Sequence, residues 1–159
     1  MEADIRKLYL IGAIAGLTIA TVAEAQLTRV GSGAVADAVE AKGAVDTLYI
    51  SGITPAALDP KAPTVRGDTK TQTLNIFKQL GDILKGQGYG YGDVVMLHVY
   101  LVADPAKGGK MDFAGFMQGY TQFFGTKEQP NLPTRSVFQV SGLANPGFLV
   151  EIEVTAVRP

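Results

Sequence analysis

The chain has no cysteine and a single histidine, His98. Without cysteine there is no disulfide, no thiol nucleophile and no thiolate metal site. With only one imidazole beside that, zinc and iron are not expected. The absence leaves the redox compartment open. Charge of one sign is also lacking: the formal net charge is -1, so bulk electrostatics offers nothing to a nucleic acid or an anionic membrane. No apolar run reaches the roughly 20 residues of a membrane span. What remains is ordinary globular material, 159 residues with 47% hydrophobic and 18% charged, one domain with enough chain for a real core.

The N-terminus reads as a segment apart. Arg6-Lys7 precedes the apolar stretch Leu8–Val22, and Ala23-Glu-Ala25 follows it. A basic start, a short apolar middle and a small-x-small site are the three parts of a secretory signal. Residues 1–25 are therefore expected to be removed, leaving 26–159 as the domain in the periplasm or outside the cell, with no membrane attachment after cleavage. Acidic and basic side chains balance in that remainder.

From Leu27 to Gly52 the text is strand-like, with a short strand within Ala34–Ala41, a turn at Lys42-Gly43 and a clear strand at Thr47–Ser51. Leu48 and Ile50 share one face of it, and Gly52 is expected to end it. Pro55, Pro60 and Pro63 make the next stretch a loop. A capping box at Thr69-Lys-Thr-Gln72 opens a helix with Leu74, Phe77, Leu80 and Leu84 at helical spacing, and Gly86 and Gly88 stop it. Asp93–Val102 is apolar on both faces, a central strand. His98 is expected on the face of Val94, Met96, Tyr100 and Val102, at a subunit contact or under a loop rather than as a general base. A second helix spans about Asp112 to Phe124, its aromatic stripe reading as core. Two strands close the chain, Pro133–Val140 and Phe148–Val157, separated by the turn-forming Gly142–Gly147. The order predicts an α+β fold with two helices on one face of a mixed sheet.

Those last strands carry the most chemistry. Arg135, Val137 and Gln139 share one face of the first; Glu151, Glu153 and Thr155 share the polar face of the second. If the two pair, an arginine and two carboxylates approach one another at a sheet surface. On spacing alone such charges are solvated, or form a surface pair worth less than about 1 kcal/mol. Gly88-Tyr-Gly-Tyr-Gly92 is rich in glycine, but no lysine followed by Ser or Thr comes at phosphate-loop spacing and a strand follows, so it is not a phosphate loop.

Six short motifs run in a telling order: Ser51-Gly-Ile-Thr-Pro55, Gln72-Thr-Leu-Asn-Ile76, Gly92-Asp-Val-Val95 with Val99-Tyr-Leu101, Tyr120-Thr-Gln-Phe-Phe124, Pro133-Thr-Arg-Ser136 and Val150–Val157. From about Gly33 to the C-terminus the chain resembles the Rid family, also called YjgF, of imine/enamine deaminases and their relatives. The resemblance implies a chorismate-mutase-like α+β fold and a homotrimer with its sheets facing inward as a barrel. It also implies three ligand sites in the clefts between subunits, and no cofactor. Arg135 matches the family's ligand-binding arginine, whose planar fork suits a carboxylate. Glu151 matches the acid that positions the attacking water, and Ser51, Gly52 and Val137 match pocket positions.

The implied reaction is hydrolysis of a 2-imino or 2-enamino acid to a 2-oxo acid and ammonia, with a small carboxylate as the only partner beyond the trimer. Three positions depart from the family. Gly33-Ala-Val35 stands where Gly-Pro-Tyr is usual, Val137 where a cysteine is frequent, and Met117 where an asparagine is common. The alternative is a trimer that binds small carboxylates or partner proteins without turnover. An endoribonuclease label carried by some relatives suits this neutral chain least.

Overall fold

The computed structural model describes residues 24–43 and 45–159. The secretory segment expected over 1–25 lies outside these residues except for its last two. Strands β1 (Gln26–Val30) and β2 (Ala38–Lys42) form an antiparallel hairpin, and Gly43, at φ +78°, turns the chain out of it. The strand expected within Ala34–Ala41 thus begins only at Ala38. Strands β3 (Asp46–Ile53), β4 (Val94–Val102), β5 (Thr134–Val140) and β6 (Val150–Arg158) make the main sheet, in the order β3-β6-β4-β5. β6 runs antiparallel to both neighbours, whereas β4 and β5 are parallel. Helices α1 (Thr69–Gly86) and α2 (Phe113–Tyr120) contribute to a single core with the sheet, in the two-layer α+β arrangement the sequence predicts.

The strand order follows from side chains. The inner strands β4 and β6 turn Leu97, Val99 and Leu101, and Val150, Ile152, Val154 and Ala156, toward the helices, all of them buried. β5 carries Arg135 and Gln139 on that same face. A strand with a charged head under the helices is tolerated best at an edge, where the head keeps a route to solvent. The parallel β4–β5 pair needs a crossover, which the α2 region supplies. β5 and β6 are therefore not neighbours: β4 lies between them, and the pairing that would have joined Arg135 to the two carboxylates does not form.

Local details differ from the sequence reading for identifiable reasons. Asp68, not Thr69, caps α1, its carboxylate accepting from the Thr71 N–H at 2.8 Å. Gln72 is thereby released from the box. Its amide nitrogen donates to the carbonyls of Gly67 and Gly147, its amide oxygen accepts from the Leu149 N–H, and it pins α1 to the start of β6. α2 ends at Tyr120, yet Phe123 and Phe124 in the following turn still pack on Phe77, with ring centroids 5.2 and 5.5 Å away. A Cβ on Gly119 would lie 2.6 Å from the Thr73 methyl, so glycine is what lets the two helices approach.

Two bulges re-aim side chains. In β4 the register slips between Val94 and Met96, which sends Val94 into the core, away from the face of His98 on which alternation had placed it. In β3 it slips between Ile50 and Ile53, so the strand continues past Gly52 with Ser51 and Gly52 in the irregularity. Phe148 precedes β6 and packs instead beneath Arg66, whose guanidinium carbon is 4.8 Å from the ring centroid.

A candidate site divided between two sheet edges

Arg135 enters from the second position of β5, beside Leu97 on β4, and points to the helix side of the sheet. Its guanidinium lies over the aromatic stripe of α2, with its carbon 4.3 Å from the Tyr120 ring centroid and 5.3 Å from that of Phe116. Such cation–π contacts stabilise the charge but satisfy none of its N–H donors. Nε and Nη1 are buried and have no hydrogen-bond partner among the described residues. Burial depresses the Arg135 pKa, and among the described residues Tyr120 alone offsets this, with no carboxylate close enough to contribute. Burial in turn raises the Tyr120 pKa, with Arg135 opposing it. A half-buried guanidinium without an acidic partner is a costly arrangement that a bound anion relieves.

Ser51, Gly52 and Glu151 gather elsewhere, around the β3 bulge. Glu151 reaches back under the strand so closely that a Cβ on Gly52 would collide with its Oε1. Gly52 is required here for close approach rather than for backbone freedom. Ser51 and Gly52 also line a groove of about 560 Å³ between the free edge of β3 and α1, with Gln79, Ile83 and Gln87 on its far wall. β3 and β5 are the opposite edges of the sheet. Three strand spacings separate them, roughly 14 Å. Glu151 pairs in register with Tyr100 on the open face, whereas Arg135 and Val137 look toward the helices. One chain therefore holds two incomplete sets: Ser51, Gly52 and Glu151 at one edge, Arg135 and Val137 at the other.

The open face carries a cluster of its own. The Tyr100 hydroxyl donates to Glu153 Oε2 at 3.0 Å, and His98 Nδ1 lies 3.6 Å from the same oxygen. That hydrogen bond is the main cause of a raised Tyr100 pKa, followed by burial and the charges of Glu153 and Glu151. Glu153, read from the sequence as a plain surface charge, is thus engaged. Tyr49, Met96 and Phe138 stand uncovered on this face, Tyr49 with 79% of its surface exposed. The aromatic housing of Arg135 went unrecognised in the sequence, where Phe113, Phe116 and Tyr120 read as core. Phe116 and Tyr120 are indeed buried, and they serve the arginine as well.

A two-helix, mixed-sheet α+β domain with a charge anchor on one edge strand and an acid under the bulge of the other is a defined class of small domain. Residues 32–158 match the family model described as Endoribonuclease L-PSP, and the chain belongs to this family, the Rid/YjgF family. It is 36% identical over 113 residues to the 2-iminobutanoate/2-iminopropanoate deaminase of Mus musculus, which covers 70% of this chain and 74% of that protein. Among solved structures, a Rid-family protein from Yersinia pestis superimposes with a TM-score of 0.61 at 27% identity, covering 77% of this chain and 86% of that one. E. coli TdcF with bound serine gives 0.58 at 28% identity, covering 71% and 81%.

Proposed function

We propose that this protein hydrolyses reactive 2-imino and 2-enamino acids to 2-oxo acids and ammonia, at sites completed between copies of the chain in a homotrimer. The observation that carries this reading is Arg135, half-buried and, among the described residues, without an acidic partner and with two unsatisfied N–H donors. A small carboxylate pairs this uncompensated charge. The deaminase name of the murine relative and the serine bound in TdcF agree with a ligand of that size and charge. The division of the site between opposite edges of the sheet supports assembly: the β5 edge of one copy meets the β3 edge of the next, bringing Arg135 and Val137 to Ser51, Gly52 and Glu151. Under the same reading the chain acts outside the cytoplasm, after loss of residues 1–25.

The chemistry needs little more. Arg135 fixes the substrate carboxylate, which places the adjacent C=N carbon. Glu151 accepts a proton from a water as that water attacks the carbon, and the C=N bond becomes a C–N single bond in a carbinolamine. That proton passes to nitrogen to give an amino group; the carbinolamine hydroxyl then yields its own proton to the same nitrogen, the C–N bond breaks, and ammonia leaves as the carbonyl forms. An enamine first takes a proton at C3 and gives one up from nitrogen to become the imine. No covalent nucleophile is required, because the imine carbon is already electrophilic.

The test is hydrolysis of imino acids generated in situ by an amino-acid oxidase, with semicarbazide trapping whatever remains. Wild type is expected to outrun trapping, and Arg135→Ala to lose about 100-fold or more in kcat/KM through the lost positioning. Rates equal to the uncatalysed reaction in both proteins would remove the enzymatic reading. A non-catalytic carboxylate binder then takes its place. The observation favouring that second reading is the apolar character of Val35, Val137 and Met117, and its mark is thermal stabilisation by 2-oxo acids without turnover.

A further inference from the structure

The sheet face turned away from the helices holds the chain's single imidazole, and the proposed hydrolysis makes no use of it. His98 stands between Glu153 on β6 and Ser136 on β5, its register partners. Its Nδ1 lies 3.6 Å from Glu153 Oε2, the oxygen that also accepts from the Tyr100 hydroxyl at 3.0 Å. His98 and Glu153 border a cavity of about 140 Å³, whose other walls include Tyr49, Met96 and Thr155. The titratable groups that face His98 are few: Glu153 and Glu151 from β6, Tyr100 from its own strand and Tyr49 from β3, while β5 offers only the neutral Ser136 and Phe138. Among the described residues, no strand position on this face holds a lysine or arginine. With a neutral imidazole the face therefore carries two carboxylates and no cation. With an imidazolium, one of the two is compensated. While the face is open to water the difference is small, because the His98 and Glu153 side chains are 43% and 44% exposed.

We infer that His98 and Glu153 make self-assembly of this chain pH-dependent, with acid favouring the trimer; the inference rests on the homotrimer proposed above and not on its chemistry. Tyr49, Met96 and Phe138 are the uncovered apolar ground of the same face, and joining β3 of one copy to β5 of the next turns the three faces toward one another. Each copy then brings Glu151 and Glu153 into a space from which water is partly excluded, where charges act more strongly on each other. With neutral imidazoles the carboxylates lose hydration and repel one another without compensation. A proton on His98 sets a cation beside Glu153 and removes one uncompensated charge from each copy. Assembly therefore takes up protons, and by linkage it tightens as pH falls through the histidine range, roughly 8 to 5. Because the candidate site is divided between two edges, acid also completes it in dilute protein, where the alkaline trimer comes apart.

The experiment is sedimentation velocity of the full-length mature protein between pH 8 and 5.5, in the urea concentration that half-dissociates wild type at pH 8. Far-ultraviolet circular dichroism of each sample separates dissociation from unfolding. Wild type is expected to tighten toward acid, its dissociation constant falling at least about tenfold. His98→Asn keeps a polar side chain without the charge and is expected to lose this gain. Glu153→Gln is expected to start tighter than wild type at pH 8, one carboxylate having gone, and to lose most of the gain in acid. A general effect of acid on the fold would act on all three proteins alike. An acid gain retained in His98→Asn overturns the inference, as does a wild type that dissociates more readily in acid or ignores pH; the trimer and the hydrolysis then stand as before. A wild type that is monomeric without urea at every pH removes the proposed trimer, and this inference with it. Hydrolysis rates enter none of these outcomes.

Discussion

At the scale of single residues the chain shows one kind of compromise repeatedly: a polar group is buried where the local geometry serves it only in part. Arg135 is the functional instance. Tyr91 is a structural one. Its hydroxyl donates to the Phe77 carbonyl at 2.5 Å, its ring packs on Phe123 and Phe124, and burial, with the charge of Asp82, pushes its pKa up to about 12. The folded chain thus prefers the neutral phenol. The contribution of this group to stability is complete below its ordinary value of 10.0 and is lost as pH rises through about 12. Denaturant titrations over that range should show wild type losing stability faster than Tyr91→Phe. Parallel curves would mean that the hydroxyl titrates as it does in the unfolded chain.

At the scale of elements, the start of α1 distinguishes two otherwise similar readings of Asp68-Thr-Lys-Thr-Gln72. A box based on Thr69 would make its hydroxyl the cap. The structure instead gives the cap to Asp68, leaves the Thr69 hydroxyl buried without a partner among the described residues, and uses Gln72 to hold the loop before β6. Asp68→Ala should therefore cost about 1 kcal/mol. Thr69→Val, which removes only an unsatisfied hydroxyl, should be neutral or slightly stabilising. Equilibrium unfolding of both variants decides the matter, and the reverse ranking would restore the Thr69 cap. The helix itself was legible because its apolar spacing is unmistakable. Its first residue was not, because Asp and Thr are both good caps and only the position of the backbone N–H groups separates them.

At the scale of the whole molecule, the open face of the sheet and its two edges point to one another. Tyr49, Met96 and Phe138 are large apolar or aromatic groups left uncovered on the side away from the helices, with Phe138 stacked beside Tyr100 at 6.4 Å. In the proposed trimer this face turns inward and the edges adjoin. Tyr49→Glu places a charge on that face without touching the helix-side core. Light scattering should find three chains in wild type and fewer in the variant. Its far-ultraviolet circular dichroism should stay unchanged, and imine hydrolysis should fall with the assembly. A wild-type monomer that still hydrolyses imines would show that the divided halves meet in some other way.

Periodicity and composition alone determined the two helices, the apolar central strand, the α+β class and the absence of thiol chemistry. These are local or additive properties, and the pattern of side chains along the chain expresses them directly. Short motifs in order also brought Arg135, Glu151, Ser51, Gly52 and Val137 forward as site residues. What they do to one another was decided only in three dimensions. Strand order depends on which strand can tolerate an edge, and that depends on the contest between a buried guanidinium and a buried leucine. The tertiary structure set β4 between Arg135 and Glu151, turned the two to opposite faces, and slipped two registers by bulges that no alternation rule contains. Faces and neighbours are properties of the packed sheet, and the chain acquires them only when every strand competes for the same core.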